Sequence, residues 1–172
     1  MALSIYCPAD ILIIVGGVIK ISGYLNGSFL EMTKDIQPYR SRRTPDGTTA
    51  RLYVNDKNYS VKFTLAQSSE SNDLLTKIQQ LDEITQMGYF PLLIKDLRGG
   101  SLFFSPAAWI EGIPSQTFST GVEGRTWEIR ATNVLNTIGG NESPDNTTED
   151  LIKTVLAAAP SLGDILGDLN GN

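Results

Sequence analysis

Hydrophobic and polar positions alternate along much of this chain, and the alternation predicts strands. Tyr59–Ala66 is the cleanest case: Tyr59, Val61, Phe63 and Leu65 point one way, and Ser60, Lys62, Thr64 and Ala66 the other, as in a strand with one buried face. Thr126–Thr132 repeats the pattern, with Trp127, Ile129 and Ala131 opposite Glu128 and Arg130. Ile11–Val15 and Val18–Ser22 are β-rich runs separated by Gly16-Gly17, a two-residue hairpin signal. Ser28–Thr33, Tyr89–Lys95, Leu102–Phe104 and Ala108–Ile113 complete the predicted strands. The period changes once within the body. Over Ser71–Met87 the residues Leu74, Leu75, Ile78, Leu81 and Ile84 form one stripe at helical spacing, with Glu70 and Asp73 near the start and Gly88 as the expected stop.

Two segments fall outside this pattern. Asp35–Thr49 has no hydrophobic period and is punctuated by Pro38, Pro45 and Asp46-Gly47, so it is expected to be a long extended loop, covering 35–49. Asn136–Asn146 is rich in Gly, Asn, Ser and Pro and reads as a linker. Beyond it, Leu151, Ile152, Val155 and Leu156, then Leu162, Ile165, Leu166 and Leu169, return at helical spacing. The expected organisation is a body over 1–140 and a helical C-terminal extension over 141–172. Several strands with a single helix place the body in the α+β class, mainly β: a small barrel or sandwich with one flanking helix.

Charge sharpens that boundary. The 172-residue chain has a net charge of −5. Residues 1–140 hold thirteen acidic and thirteen basic side chains, whereas 141–172 hold six acids and only Lys153. The extension therefore carries the whole excess. With no histidine and one cysteine, Cys7, the chain cannot build a Ser–His–Asp or Cys–His triad, a His-bearing zinc site or an intrachain disulfide. The longest apolar run, Ile11–Val15, is too short to span a bilayer, and no signal peptide is expected. No phosphate-binding glycine pattern occurs, and no cofactor or metal is expected. Asp96, Glu111, Glu123 and Glu128 lie among the later strands, where solvated faces account for them better than an acid–base pair does. Trp109 and Trp127 fit core or interface packing better than a sugar platform.

The basic residues pose the sharper question. Arg40, Arg42, Arg43 and Arg51 gather, with Tyr39, in and beside the segment expected to be a loop. Three readings compete: a solvated loop, a nucleic-acid clamp and a joint between subunits. A clamp normally needs a positive domain and stacking aromatics. The joint is favoured, because arginine makes forked bonds to carboxylates and is enriched at interfaces.

The order of segments resembles the inner tail-tube proteins of contractile-tailed bacteriophages, a virion structural family of about this size, over roughly residues 6–141. The resemblance is carried by "YFPLLIKDLRGGSLFFSPAAWIEGIP", "FSTGVEGRTWEIRAT", "SGYLNGSFLEMTKD" and "TLAQSSESNDLL" in the right order. It implies hexameric rings stacked into a hollow tube, through which DNA passes without specific binding, with sheath and baseplate or terminator proteins as partners. The implied location is the virion tail, after synthesis in the bacterial host, and no enzymatic activity is implied. Tyr39, Arg40, Arg42, Arg43 and Arg51 then become an inter-ring contact. Lys62, Thr64, Glu128 and Arg130, alternating with buried positions, become candidates for the lumen or a subunit seam. Asp96, Glu111 and Glu123 are the expected acidic acceptors for the arginines. A tube-like baseplate or tail-end protein of the same fold is the alternative, and a carbohydrate-binding or hydrolytic β domain using Trp109 or Trp127 is the alternative of another class.

Overall fold

The computed structural model describes residues 7–140; the acidic C-terminal extension lies outside the described residues. Ten strands and one helix follow a short 3-10 turn at Pro8–Asp10: β1 (Ile11–Val15), β2 (Ile19–Lys20), β3 (Leu30–Lys34), β4 (Tyr39–Arg43), β5 (Thr49–Tyr53), β6 (Tyr59–Ala66), α1 (Ser71–Thr85), β7 (Phe90–Asp96), β8 (Leu102–Gly112), β9 (Gly124–Thr132) and β10 (Leu135–Thr137). Eight strands form one sheet in the order β2-β1-β7-β8-β9-β6-β3, with β10 paired to β8, while β4 and β5 form a separate hairpin. The mainly β fold with one helix matches the expectation. The path of the large sheet is open, with β2 and β3 at its edges.

The chain divides into two compact units. The larger takes in residues 13–93 and 104–134. Its core is the inward face of β6 and β9: Val61, Phe63, Leu65, Trp127, Ile129 and Ala131 are all buried. The strands are antiparallel, with Val61 opposite Ile129 and Phe63 opposite Trp127. Fully burying such side chains stabilises the fold by ~1.5–3 kcal/mol each. Trp127 also needs a partner for its indole N–H, and Asn72 Oδ1 accepts it at 3.0 Å. In the smaller unit, described over 7–12, 94–103 and 135–140, Ile94 and Phe103 are buried. There Arg98 pairs with Asp10, and Leu97 N donates to Asp10 O at 3.0 Å.

Several elements differ from the sequence expectation. Val15 pairs with Ile19, so the β1–β2 turn holds three residues, not two. Gly16 and Gly17 both take positive φ, at 65° and 79°. β8 runs unbroken through Pro106, where two strands were expected. The Ser105 hydroxyl lies 2.7 Å from Thr132 O, and Thr132 Oγ1 donates to Ala107 O at 2.9 Å; these side chains add cross-strand bonds beside a residue that has no N–H to give. The helix ends at Gln86, in the left-handed region at φ 55°, rather than at Gly88. Gly88 is needed two residues later for space: a Cβ there would meet Asp82 Cβ at 2.3 Å. The helix itself forms as its apolar stripe predicts, but the stripe is divided between core and surface. Only Leu75 is buried, while Leu74, Leu81 and Ile84 are exposed.

Candidate functional site: the arginine hairpin and the polar face beneath it

The stretch expected to be a loop over 35–49 is a β-hairpin. Tyr39 pairs with Tyr53, Ser41 with Arg51 and Arg43 with Thr49, while Arg40 pairs with Leu52 and Arg42 with Ala50. The hydrophobic period was missing because neither face packs on the body: all five residues of β4 are exposed. At the tip, Thr44 N donates to Thr48 O at 2.9 Å and Gly47 N to Thr44 O at 3.0 Å. Asp46 organises this turn. Its Oδ1 accepts from the Thr44 hydroxyl, from Thr48 Oγ1 at 2.9 Å and from Thr48 N at 3.2 Å. Hydrogen bonds from the Thr44 and then the Thr48 side chains hold its carboxyl below the ordinary aspartate value of 3.8.

Side chains alternate across a strand, so the four arginines divide between two faces. One face carries Tyr39, Tyr53, Arg43 and Arg51. Its tyrosine rings lie 5.4 Å apart, and the Arg51 guanidinium sits 3.5 Å above the Tyr39 ring. The other face carries Arg40 and Arg42 around Leu52 and Ala50. Sequence reasoning named the arginines and Tyr39 but missed Leu52 and Tyr53. The signal was present: Asp46-Gly47 between two β-prone runs is a hairpin mark.

The hairpin is tied down at its base. Val54 N donates to Pro38 O at 2.8 Å, and Asp35 N to Asn58 O at 3.1 Å. Arg130 of β9 donates from Nη1 to Asp35 Oδ2 at 2.5 Å and from Nε to Glu111 Oε2 at 2.8 Å. The hydrogen bond to Glu111 is the largest influence on the Arg130 guanidinium and pushes it above its usual range; burial opposes this, and the contacts with Asp35 add to the rise.

Arg130 belongs to the polar face of β6 and β9, together with Lys62, Thr64 and Glu128. Lys62 lies opposite Glu128, with Nζ 3.5 Å from Oε1, and Thr64 meets Thr126 at 2.9 Å between hydroxyls. Ser60 Oγ donates to Glu128 Oε1 at 3.0 Å. Glu31 of β3 sits opposite Lys62 on the same face. The basic groups of this face are thus matched by carboxylates, and Glu31, Glu111 and Glu128 outnumber Lys62 and Arg130.

The expected acceptors for the hairpin arginines are largely committed elsewhere. Asp96 is buried, and its Oδ1 accepts from Arg98 N at 3.0 Å. Glu111 is held by Arg130, and Glu123 accepts from Ser119. Trp127 is a core residue, 2% exposed, which removes it from any sugar platform.

No family model matches the chain. Among known proteins, it is similar to Structural protein ORF10 of Pseudomonas phage KPP10, at 30% identity over 156 residues, covering 87% of this chain and 90% of that protein. Among solved structures, it is similar to the tube-terminating cap of the anti-feeding prophage, with a TM-score of 0.51 at 12% identity, covering 80% of this chain and 94% of the cap. It is also similar to the sheath/tube terminator of an extracellular contractile injection system, PVC, in the extended state. There the TM-score is 0.51 at 16% identity, with 77% of this chain and 96% of the terminator covered. At these identities the two structures establish a shared fold.

Proposed function

The chain belongs to the family of phage structural proteins that includes Structural protein ORF10 of Pseudomonas phage KPP10, and on that premise we propose that it is a ring-forming subunit of a phage tail tube. Six copies close into a ring, rings stack along the tail, and the hairpin joins each ring to the next. The observation that carries this reading is the hairpin itself, which projects arginines from both faces and packs neither on the body. An isolated two-stranded hairpin is marginal in water. A partner on either face supplies the burial it lacks. The open edges β2 and β3 suit ring closure, because pairing them between neighbours removes unpaired strand edges. The acid-rich polar face of β6 and β9 suits a bore that lets DNA slide, since many phosphate contacts would retain it. A sheath around the tube and a baseplate or terminator at its ends complete the assembly.

A second reading is favoured by the fold shared with two tube-end proteins. Here the chain forms one ring that closes the tube instead of its repeating body. Electron microscopy of the purified protein separates the two: long tubes support the body, and single rings the end. In either case Arg40→Glu, Arg42→Glu and Arg43→Glu together are expected to leave circular dichroism unchanged and to abolish contact between rings or with the tube. Normal assembly by this triple variant would reject the hairpin joint.

A further inference from the structure

We propose that the Arg40–Arg42–Leu52 face of the hairpin docks on the exposed apolar face of α1 in a second copy of the chain. The inference rests on the reading of the hairpin as a subunit joint and names the surface that the joint meets.

The two surfaces complement each other in charge, with Lys77 the one basic residue of α1. Among the described residues, the guanidiniums of Arg40, Arg42 and Arg43 make no hydrogen bond or ion pair. Only two described carboxylates are equally free, those of Glu70 and Asp73. Every other one accepts an ion pair or a hydrogen bond. The two free acids sit at the start of α1, beside Leu74. One turn separates Glu70 from Leu74, so both lie on the same side of the helix.

Apolar surface points to the same pair. Leu74, Leu81 and Ile84 are 40%, 58% and 82% exposed, and their spacing sets them along one face of α1. The hairpin offers Leu52, 46% exposed, directly opposite Arg40 and on the same face as Arg42. Arginine stems can cover leucine and isoleucine while their guanidiniums reach carboxylates at the rim. Each chain carries one surface of each kind, so the contact is heterologous and repeats from copy to copy.

The test uses the full chain and charge reversal on each side. Arg40→Glu with Arg42→Glu, and separately Glu70→Arg with Asp73→Arg, are each expected to cut the assembled fraction in sedimentation by about tenfold or more. The quadruple variant is expected to recover assembly, since the charges again match. Circular dichroism checks each fold, and the milder Glu70→Gln with Asp73→Asn replaces the helix variant if that misfolds. If the hairpin pair blocks assembly while the helix pair assembles normally, the α1 docking is overturned and the hairpin joint stands. If both pairs assemble normally, the joint reading falls as well. A quadruple variant that stays dispersed overturns the docking.

Discussion

Arg130 and Asp35, ninety-five residues apart in the sequence, meet at 2.5 Å, so strand β9 holds the base of the arginine hairpin. Glu111 of β8 shares the same guanidinium at 2.8 Å. These groups are only partly exposed: the Arg130 side chain is 27% accessible and that of Asp35 26%. The relationship joins the polar face to the hairpin, two features that look independent along the chain.

Replacing Arg130 with Met is expected to loosen that attachment without unfolding the body. It leaves two carboxylates near one another with no cation. Partly exposed pairs contribute ~0–1 kcal/mol each, so the melting temperature should fall by only a few degrees. The local effect should be larger. Amide exchange in β4 and β5 should quicken while β6 and β9 keep their protection. Equal acceleration in both regions would show that Arg130 supports the sheet as a whole instead of the hairpin.

Asn72→Ala should cost more than an ordinary surface substitution. Its Oδ1 accepts the Trp127 indole N–H at 3.0 Å, and its Nδ2 donates to Ala66 O and Ser69 O at 2.9 and 3.1 Å. Trp127 is 2% exposed, so truncation leaves its N–H without an acceptor. An unsatisfied buried donor costs ~1–3 kcal/mol. Urea unfolding followed by tryptophan fluorescence measures the loss. A change below about 0.5 kcal/mol, within the range of ordinary surface substitutions, would mean that another acceptor takes the proton.

The parts of this fold that were legible in the sequence share one property: a face buried against the chain's own core. Tyr59–Ala66 was readable to the residue because Val61, Phe63 and Leu65 all point into that core. β4 and β5 were not, since no periodicity forms where both faces are exposed. The α1 stripe shows the converse case. The period identified the helix correctly, but Leu74, Leu81 and Ile84 face away from the monomer. Hydrophobic spacing marks surfaces to be covered and does not say whether the cover belongs to the same chain. The clamp on Arg130 was invisible for another reason, because an ion pair between distant residues leaves no local pattern.

Acid should weaken the hairpin tip. The Asp46 carboxyl titrates below its ordinary 3.8, chiefly through the Thr44 and Thr48 hydroxyls. A folded-state value below the unfolded one means that the ionised form stabilises the turn. That contribution is complete above 3.8 and is lost as pH falls through the lower folded value. The Thr48 amide, which donates to Asp46 Oδ1, should shift over that window in a proton–nitrogen spectrum. Asp46→Asn should remove the titration. An unchanged shift in the variant would assign it to another group.

The polar face of β6 and β9 is expected to line a bore. In the native chain Glu31 and Glu128 flank Lys62, and Glu111 faces Arg130. Replacing Glu31 and Glu128 with Lys leaves Asp35 and Glu111 as two acids beside four bases, on a face that had four acids beside two. Both positions point to solvent or are half-buried, so the fold should survive. If the face lines a channel, the assembled variant should now hold duplex DNA. Affinity depends on the phosphates neutralised, and its logarithm falls with the logarithm of salt by roughly 0.9 per contact. The expected result is tighter binding with a steeper salt dependence for the variant than for the native assembly. Particles carrying it should eject their genome more slowly at low salt, with the defect relieved as salt rises. DNA binding and ejection equal to those of the native protein would place this face away from the channel, at a seam between subunits.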